Sequence, residues 1–193
     1  GLSARADCLV ELGHVEEAAA DVDKALKLDD QNPQAHWVMG ILLELDGKFA
    51  ESDAAYREAE QLDPEAFPVP VRVTRRSFDL AVKKAIARLP PDFKARMDGV
   101  DIYVKDLPEP TDHPDSGLGP LILGAFDGYM MTERRESDPW TQVPPRICLY
   151  QRNIERVCRT RDDLVKEIEI TILHEVGHFF GLEDEDLQRL DLG

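Results

Sequence analysis

The residues with the clearest chemical potential are His174, Glu175 and His178, which form an HExxH pattern inside Ile170-Thr171-Ile172-Leu173-His174-Glu175-Val176-Gly177-His178-Phe179-Phe180-Gly181. This stretch reads as a helix, where residues four apart lie about one turn apart on the same face. The two imidazoles can therefore converge on a single ion. Glu175 would point beside that ion. A carboxylate there can take a proton from a metal-bound water, whose pKa zinc lowers to ~7, and return it to a leaving amine. Gly181, three residues past His178, suits the left-handed turn that ends a helix and sends the chain back. Asp184, ten residues beyond His174, is then the expected third ligand. Glu183, Glu185 and Asp186 are the alternatives, and any of them would complete three protein ligands with one position open to water. Zinc is the expected ion, while iron, cobalt and nickel accept similar ligands.

The elements that must hold this pattern follow from periodicity. A long final helix should begin at a cap formed by Asp162 or Asp163. Residues 100–104, 121–126 and 146–150 read as strands, and 108–119 as a loop. Residues 77–89 form an amphipathic helix with Phe78, Val82, Ala85, Ile86 and Leu89 on one face, stopped by Pro90-Pro91. Peptide chemistry also needs a donor for the oxyanion, and Tyr129, Tyr150 and His113 are of the right type. The glycine-rich stretch 117–128 could expose a strand edge on which an extended substrate pairs.

From HExxHxxGxxD and the upstream Pro145-Arg146-Ile147-Cys148-Leu149-Tyr150, residues 72–193 resemble the small zincin-like metallopeptidase domains of bacteria. The resemblance implies a compact α+β domain with a few strands and an active-site helix near its end. It also implies His174, His178 and Asp184 as ligands, Glu175 as catalytic base, and strand 121–126 near the cleft. Larger relatives place a methionine turn below the metal, downstream of the motif. Here nothing after Asp184 is a methionine, and Met130 and Met131 read as core residues.

The beginning of the chain repeats at an offset of 34 residues: Gly13 with Gly47, Val15 with Phe49, Ala18 with Ser52, Ala20 with Ala54, Val22 with Tyr56, Ala25 with Ala59, Leu28-Asp29 with Leu62-Asp63, and Ala6 with Gly40. Residues 1–68 thus resemble roughly two tetratricopeptide repeats, with Pro64 as the proline that follows the second helix. Stacks usually need about three repeats, so either more lie upstream or the second region caps these. Trp37, Met39, Leu42, Leu43 and Tyr56 read as core. Glu11, Glu16, Glu17, Asp21, Asp23, Glu44, Asp46, Glu51 and Asp53 make an acidic face suited to a basic peptide. Pro64, Pro68 and Pro70 mark the seam between the two regions.

Composition narrows the partners. With 39 acidic against 23 basic residues and a net charge of -16, nucleic acid and anionic lipid are poor matches. A peptide or protein substrate fits better. No apolar run approaches the ~20 residues of a membrane span, and the start lacks the form of a secretory signal. Cys8, Cys148 and Cys158 suggest neither a disulfide framework nor a cysteine zinc cluster, which fits a reducing cytoplasm. His14, His36 and His113 lack ligand spacing and read as core histidines. The expected protein is an α+β zinc peptidase behind an all-α repeat segment. Its rivals are an interaction scaffold whose metal is structural, and an enzyme masked until a partner binds the repeats.

Overall fold

The computed structural model describes residues 1–97, 99–109, 119–127, 145–180 and 182. Within them, eight helices and one three-stranded sheet give an α+β fold. They divide into two compact units, Gly1–Pro70 with Leu107–Ile122, and Val71–Asp106 with Leu123–Gly193.

The first unit holds α1 (Leu2–Glu11), α2 (Val15–Leu28), α3 (Pro33–Leu45) and α4 (Phe49–Leu62). Its repeat offset has a direct structural counterpart. Gly13 and Gly47 take φ of 78° and 74°, conformations that strain any side chain. They close α1 and α3 identically: His14 and Gly13 donate N–H to Leu9 and Val10, while Lys48 and Gly47 donate to Leu43 and Glu44. Helix α3 starts where the Asn32 side chain accepts from the Ala35 N–H at 2.9 Å and Pro33 supplies the fixed φ of a first turn.

Ala6, Val10, Ala18, Val22, Val38, Ile41, Leu42 and Tyr56 form the core of this unit. Two of the carboxylates expected on the acidic face are buried instead. Asp21 is ion-paired with Arg5, and Glu44 accepts from the Tyr56 hydroxyl at 3.2 Å. His14 and His36 are not core residues: His14 is exposed near Glu17, and His36 is half-buried with Nε2 2.8 Å from the Asp30 carbonyl. His113 lies outside the described residues.

Tyr56 also explains why a glycine stands at position 40. A Cβ there would lie 2.7 Å from Cδ1 and Cε1 of the Tyr56 ring. The ring cannot retreat freely, because Trp37 packs against it at a tilt of 59° with ring centroids 4.8 Å apart, and Glu44 holds the hydroxyl. Overpacking costs of about 1–3 kcal/mol compete with ~1 kcal/mol of helix propensity gained by alanine. With the ring held, the upper end applies. Gly40→Ala is therefore expected to destabilise this unit by about 2 kcal/mol net, read as a lower urea midpoint by circular dichroism.

The second unit holds α5 (Arg75–Arg88), α6 (Pro91–Arg96), β1 (Asp101–Lys105), β2 (Gly124–Asp127), β3 (Arg146–Tyr150), α7 (Gln151–Val157) and α8 (Arg161–Phe179). The proline pair does end α5, yet Pro91 at once starts α6, since its missing N–H costs nothing in a first turn. Strands run in the order β1-β3-β2, with β1 parallel and β2 antiparallel to β3. β2 begins at Gly124 rather than at 121, because Leu121 packs into the core of the first unit. The Leu123 carbonyl is the first to join the ladder, accepting from the Tyr150 N–H at 2.9 Å.

Phe78, Leu89, Ile147, Leu149, Ile154, Leu164, Ile168, Ile172 and Val176 form a core between sheet and helices. Helix α7, which the apolar pattern does not reveal, is tied down by polar groups. The buried Glu155 carboxylate accepts from the Val73 N–H at 3.1 Å, Gln151 Nε2 at 2.7 Å and Arg72 at 3.3 Å. Burial nevertheless pushes its pKa upward, outweighing these partners. Cys8 is exposed, whereas Cys148 and Cys158 are buried. The Cys158 thiol is pushed up to about 12, chiefly by burial and then by Glu167, Asp163 and Glu155, so it packs as a small hydrophobe. Among the described residues, no helix is long and apolar enough to cross a membrane.

Candidate metal centre

Helix α8 begins two or three residues earlier than a cap at Asp162 or Asp163 would place it. Thr160 is the cap: its hydroxyl accepts from the Asp163 N–H at 3.1 Å, and the Asp163 carboxylate accepts from the Thr160 N–H at 3.0 Å. This reciprocal box settles two otherwise orphaned donors, and Asp162 and Asp163 also meet the positive end of the helix dipole. The pairing holds the Asp163 carboxyl below its ordinary pKa.

Four residues spaced by four, Leu164, Ile168, Ile172 and Val176, then face the core with essentially no exposure. At 3.6 residues per turn, Thr171 and Glu175 fall at the edge of that stripe, and His174 and His178 further round. Burial follows this order: Thr171 and Glu175 are 5% and 7% exposed, while both histidines are half-buried. The helix thus carries an apolar face and a reactive face, with the carboxylate between them.

On the reactive face the two imidazoles meet edge to face at 83°, with their Nε2 atoms 3.0 Å apart. Two Zn–N bonds of ~2.05 Å at a tetrahedral angle would set these atoms about 3.3 Å apart. An opening of a few tenths of an ångström therefore admits the ion, and the donor set fits zinc.

The other nitrogen of His178 shows how the ring is held. Nδ1 lies 3.1 Å from the Leu182 carbonyl oxygen, which can only accept, so Nδ1 carries the proton and donates. That tautomer leaves Nε2 with its lone pair towards His174, as a metal ligand requires. Leu182 is itself fixed by its N–H donating to the Gly177 carbonyl at 3.1 Å, the same bond that closes α1 and α3. The end of the helix and the orientation of the His178 ring are therefore one arrangement.

His174, Glu175 and His178 are brought together by the helix. Asp184, its alternatives Glu183, Glu185 and Asp186, and Gly181 lie outside the described residues, as do Tyr129, Met130 and Met131. Among the described residues, no group of three His, Cys, Asp or Glu side chains is placed to hold a metal. Tyr150 is fully buried at the end of β3. Two contributors escape motif reading. The Leu182 carbonyl acts through the main chain, so no side-chain pattern reports it. Gly124, whose absent side chain leaves room beside Glu175, looks like any other glycine of a loop-rich stretch.

A family model described as zincin-like metallopeptidase matches residues 97–193. Among solved structures, the chain is similar to a conserved hypothetical protein from Thermus thermophilus. The two are 25% identical, with 56% of this chain and 94% of that one covered at a TM-score of 0.39. No curated protein matches significantly.

Proposed function

The chain belongs to the zincin-like metallopeptidase family, and on that footing we propose that it hydrolyses peptide bonds, with Glu175 as the proton carrier and His174, His178 and Asp184 as the ligands of a zinc ion. The observation that carries the proposal is the convergence of two Nε2 atoms at 3.0 Å beside a buried carboxylate on one helix. Zinc, when bound there, supplies Lewis acidity, lowering the pKa of a coordinated water to ~7 and polarising the scissile carbonyl.

The remaining work falls to the chain. Glu175 takes a proton from the attacking water on a carboxylate oxygen and delivers it to the amide nitrogen as the C–N bond breaks. Its burial keeps competing water away and strengthens each hydrogen bond it makes. His178 is held to one tautomer by Leu182. Among the described residues β2 ends the strand order, next to β3 and against Thr171 and Glu175 of α8, so a peptide extended along its outer edge would bring its backbone to the carboxylate. The helical repeats would recruit the substrate or a regulator. With Asp21 and Glu44 buried, the exposed acids available to a basic peptide are Glu11, Glu16, Glu17, Asp23, Asp46 and Glu51. We place this activity in the cytoplasm.

The test is metal removal. Purified protein should cleave members of a random peptide library, lose that activity to a zinc chelator, and regain it with about one equivalent of zinc, as a single open site implies. Zinc binding without cleavage of any peptide would instead favour a scaffold whose metal is structural.

A further inference from the structure

Gly124 opens β2, the edge strand among the described residues, and is paired with Leu149 of β3. A Cβ at this position would stand 2.7 Å from Thr171 Cγ2, 3.1 Å from the Cys148 carbonyl oxygen and 3.4 Å from Glu175 Cγ. The first distance is below any real Cβ contact. Glycine is needed here for space, because positive φ is confined to Gly13, Gly47 and Gly99 among the described residues. Nor is the nearest atom a yielding one. The Thr171 hydroxyl donates to the Glu167 carbonyl at 2.8 Å, and turning the side chain to move Cγ2 would break that bond.

Thr171 and Glu175 are four apart, so their side chains are neighbours on one face of α8, and the bare backbone of Gly124 lies against both. We propose that Gly124 is a positioning residue for Glu175: by lacking a side chain it lets the edge strand lie against the helix, where its backbone and the Thr171 methyl confine the stem of the carboxylate. The inference rests on the peptidase reading for its catalytic consequence, though its steric content does not. A methyl group at 124 must displace either the strand or the two helix side chains. Either movement takes the carboxylate off its path, and a displacement of about 1 Å in a catalytic group costs on the order of 100-fold in rate.

The experiment compares wild type, Gly124→Ala, Thr171→Ser and the double variant. Serine keeps the hydroxyl that bonds Glu167 and deletes the methyl that Cβ would strike. Gly124→Ala should lower kcat by about 10- to 100-fold with KM and zinc content near wild type, and adding Thr171→Ser should restore most of kcat. Unchanged kcat in folded Gly124→Ala overturns the proposal. If that variant does not fold, a folded double variant whose kcat exceeds half that of Thr171→Ser supports the proposal, and one below that overturns it. Should wild type bind metal yet cleave nothing, the peptidase reading fails by itself. The visible spectrum of the cobalt(II)-loaded proteins then decides the positioning. A change in Gly124→Ala that reverts in the double variant supports it, and identical spectra overturn it.

Discussion

Glu175→Gln is expected to lower kcat on a cleaved peptide by about 10³-fold, within the range for losing one general acid–base group, while zinc content stays at about one per chain. The substitution is nearly isosteric, which matters at a side chain 7% exposed with the Gly124 backbone beside its stem. An amide placed there fills the same space but cannot accept and return a proton at neutral pH. Metal binding should persist because the two nitrogens that converge belong to His174 and His178, not to this residue. Steady-state kinetics paired with elemental mass spectrometry separates the cases. Zinc lost along with activity would make Glu175 a ligand or a folding residue, and activity retained would remove it from the reaction.

The second large effect concerns the two proposed histidine ligands. His178→Ala should weaken zinc binding by more than the 10- to 100-fold typical of losing an outer-shell partner, because it removes one of the two converging donors and also the group that Leu182 holds. The stabilisation that zinc confers on wild type, ~2.7 kcal/mol at 100 times Kd, should vanish with it. His174→Ala provides the informative contrast. It removes the other donor but leaves the His178–Leu182 hydrogen bond in place. Both variants should lose metal and the contact between the two imidazoles, and His178→Ala should lower the stability of the metal-free protein by about 1 kcal/mol more than His174→Ala, for the missing Leu182 hydrogen bond. Calorimetry with and without zinc reads both quantities. Equal metal-free stability in the two variants would mean that the Leu182 contact does not restrain the helix end.

The local devices of this chain are written in short stretches of its sequence. Gly13 and Gly47 announce two helix ends 34 residues apart because only glycine takes positive φ without strain. The spacing of four between His174 and His178 dictates a shared helix face as soon as the segment is helical. Strand 146–150 is bounded by proline and dense in apolar residues, and it appears where the pattern places it. Where the sequence offers two answers, the difference lies in which partner each group meets. Asp162 and Asp163 look like caps, but the cap is the residue whose hydroxyl the Asp163 N–H reaches. Asp21 and Glu44 look like surface acids until Arg5 and Tyr56 arrive to pair with them.

The sequence by itself thus determined the class of chemistry: two nitrogens and a carboxylate on one helix, an acidic protein, and helices at a 34-residue offset before an α+β region. Helical periodicity and glycine's backbone freedom are local properties, legible within a few residues. Tertiary structure alone decided that Leu121 leaves the strand for the first unit, that a main-chain carbonyl chooses the tautomer of His178, and that position 124 has no room for a methyl group beside Glu175. Each of these is a matter of which atoms meet across a fold, and close packing makes differences of a few tenths of an ångström count.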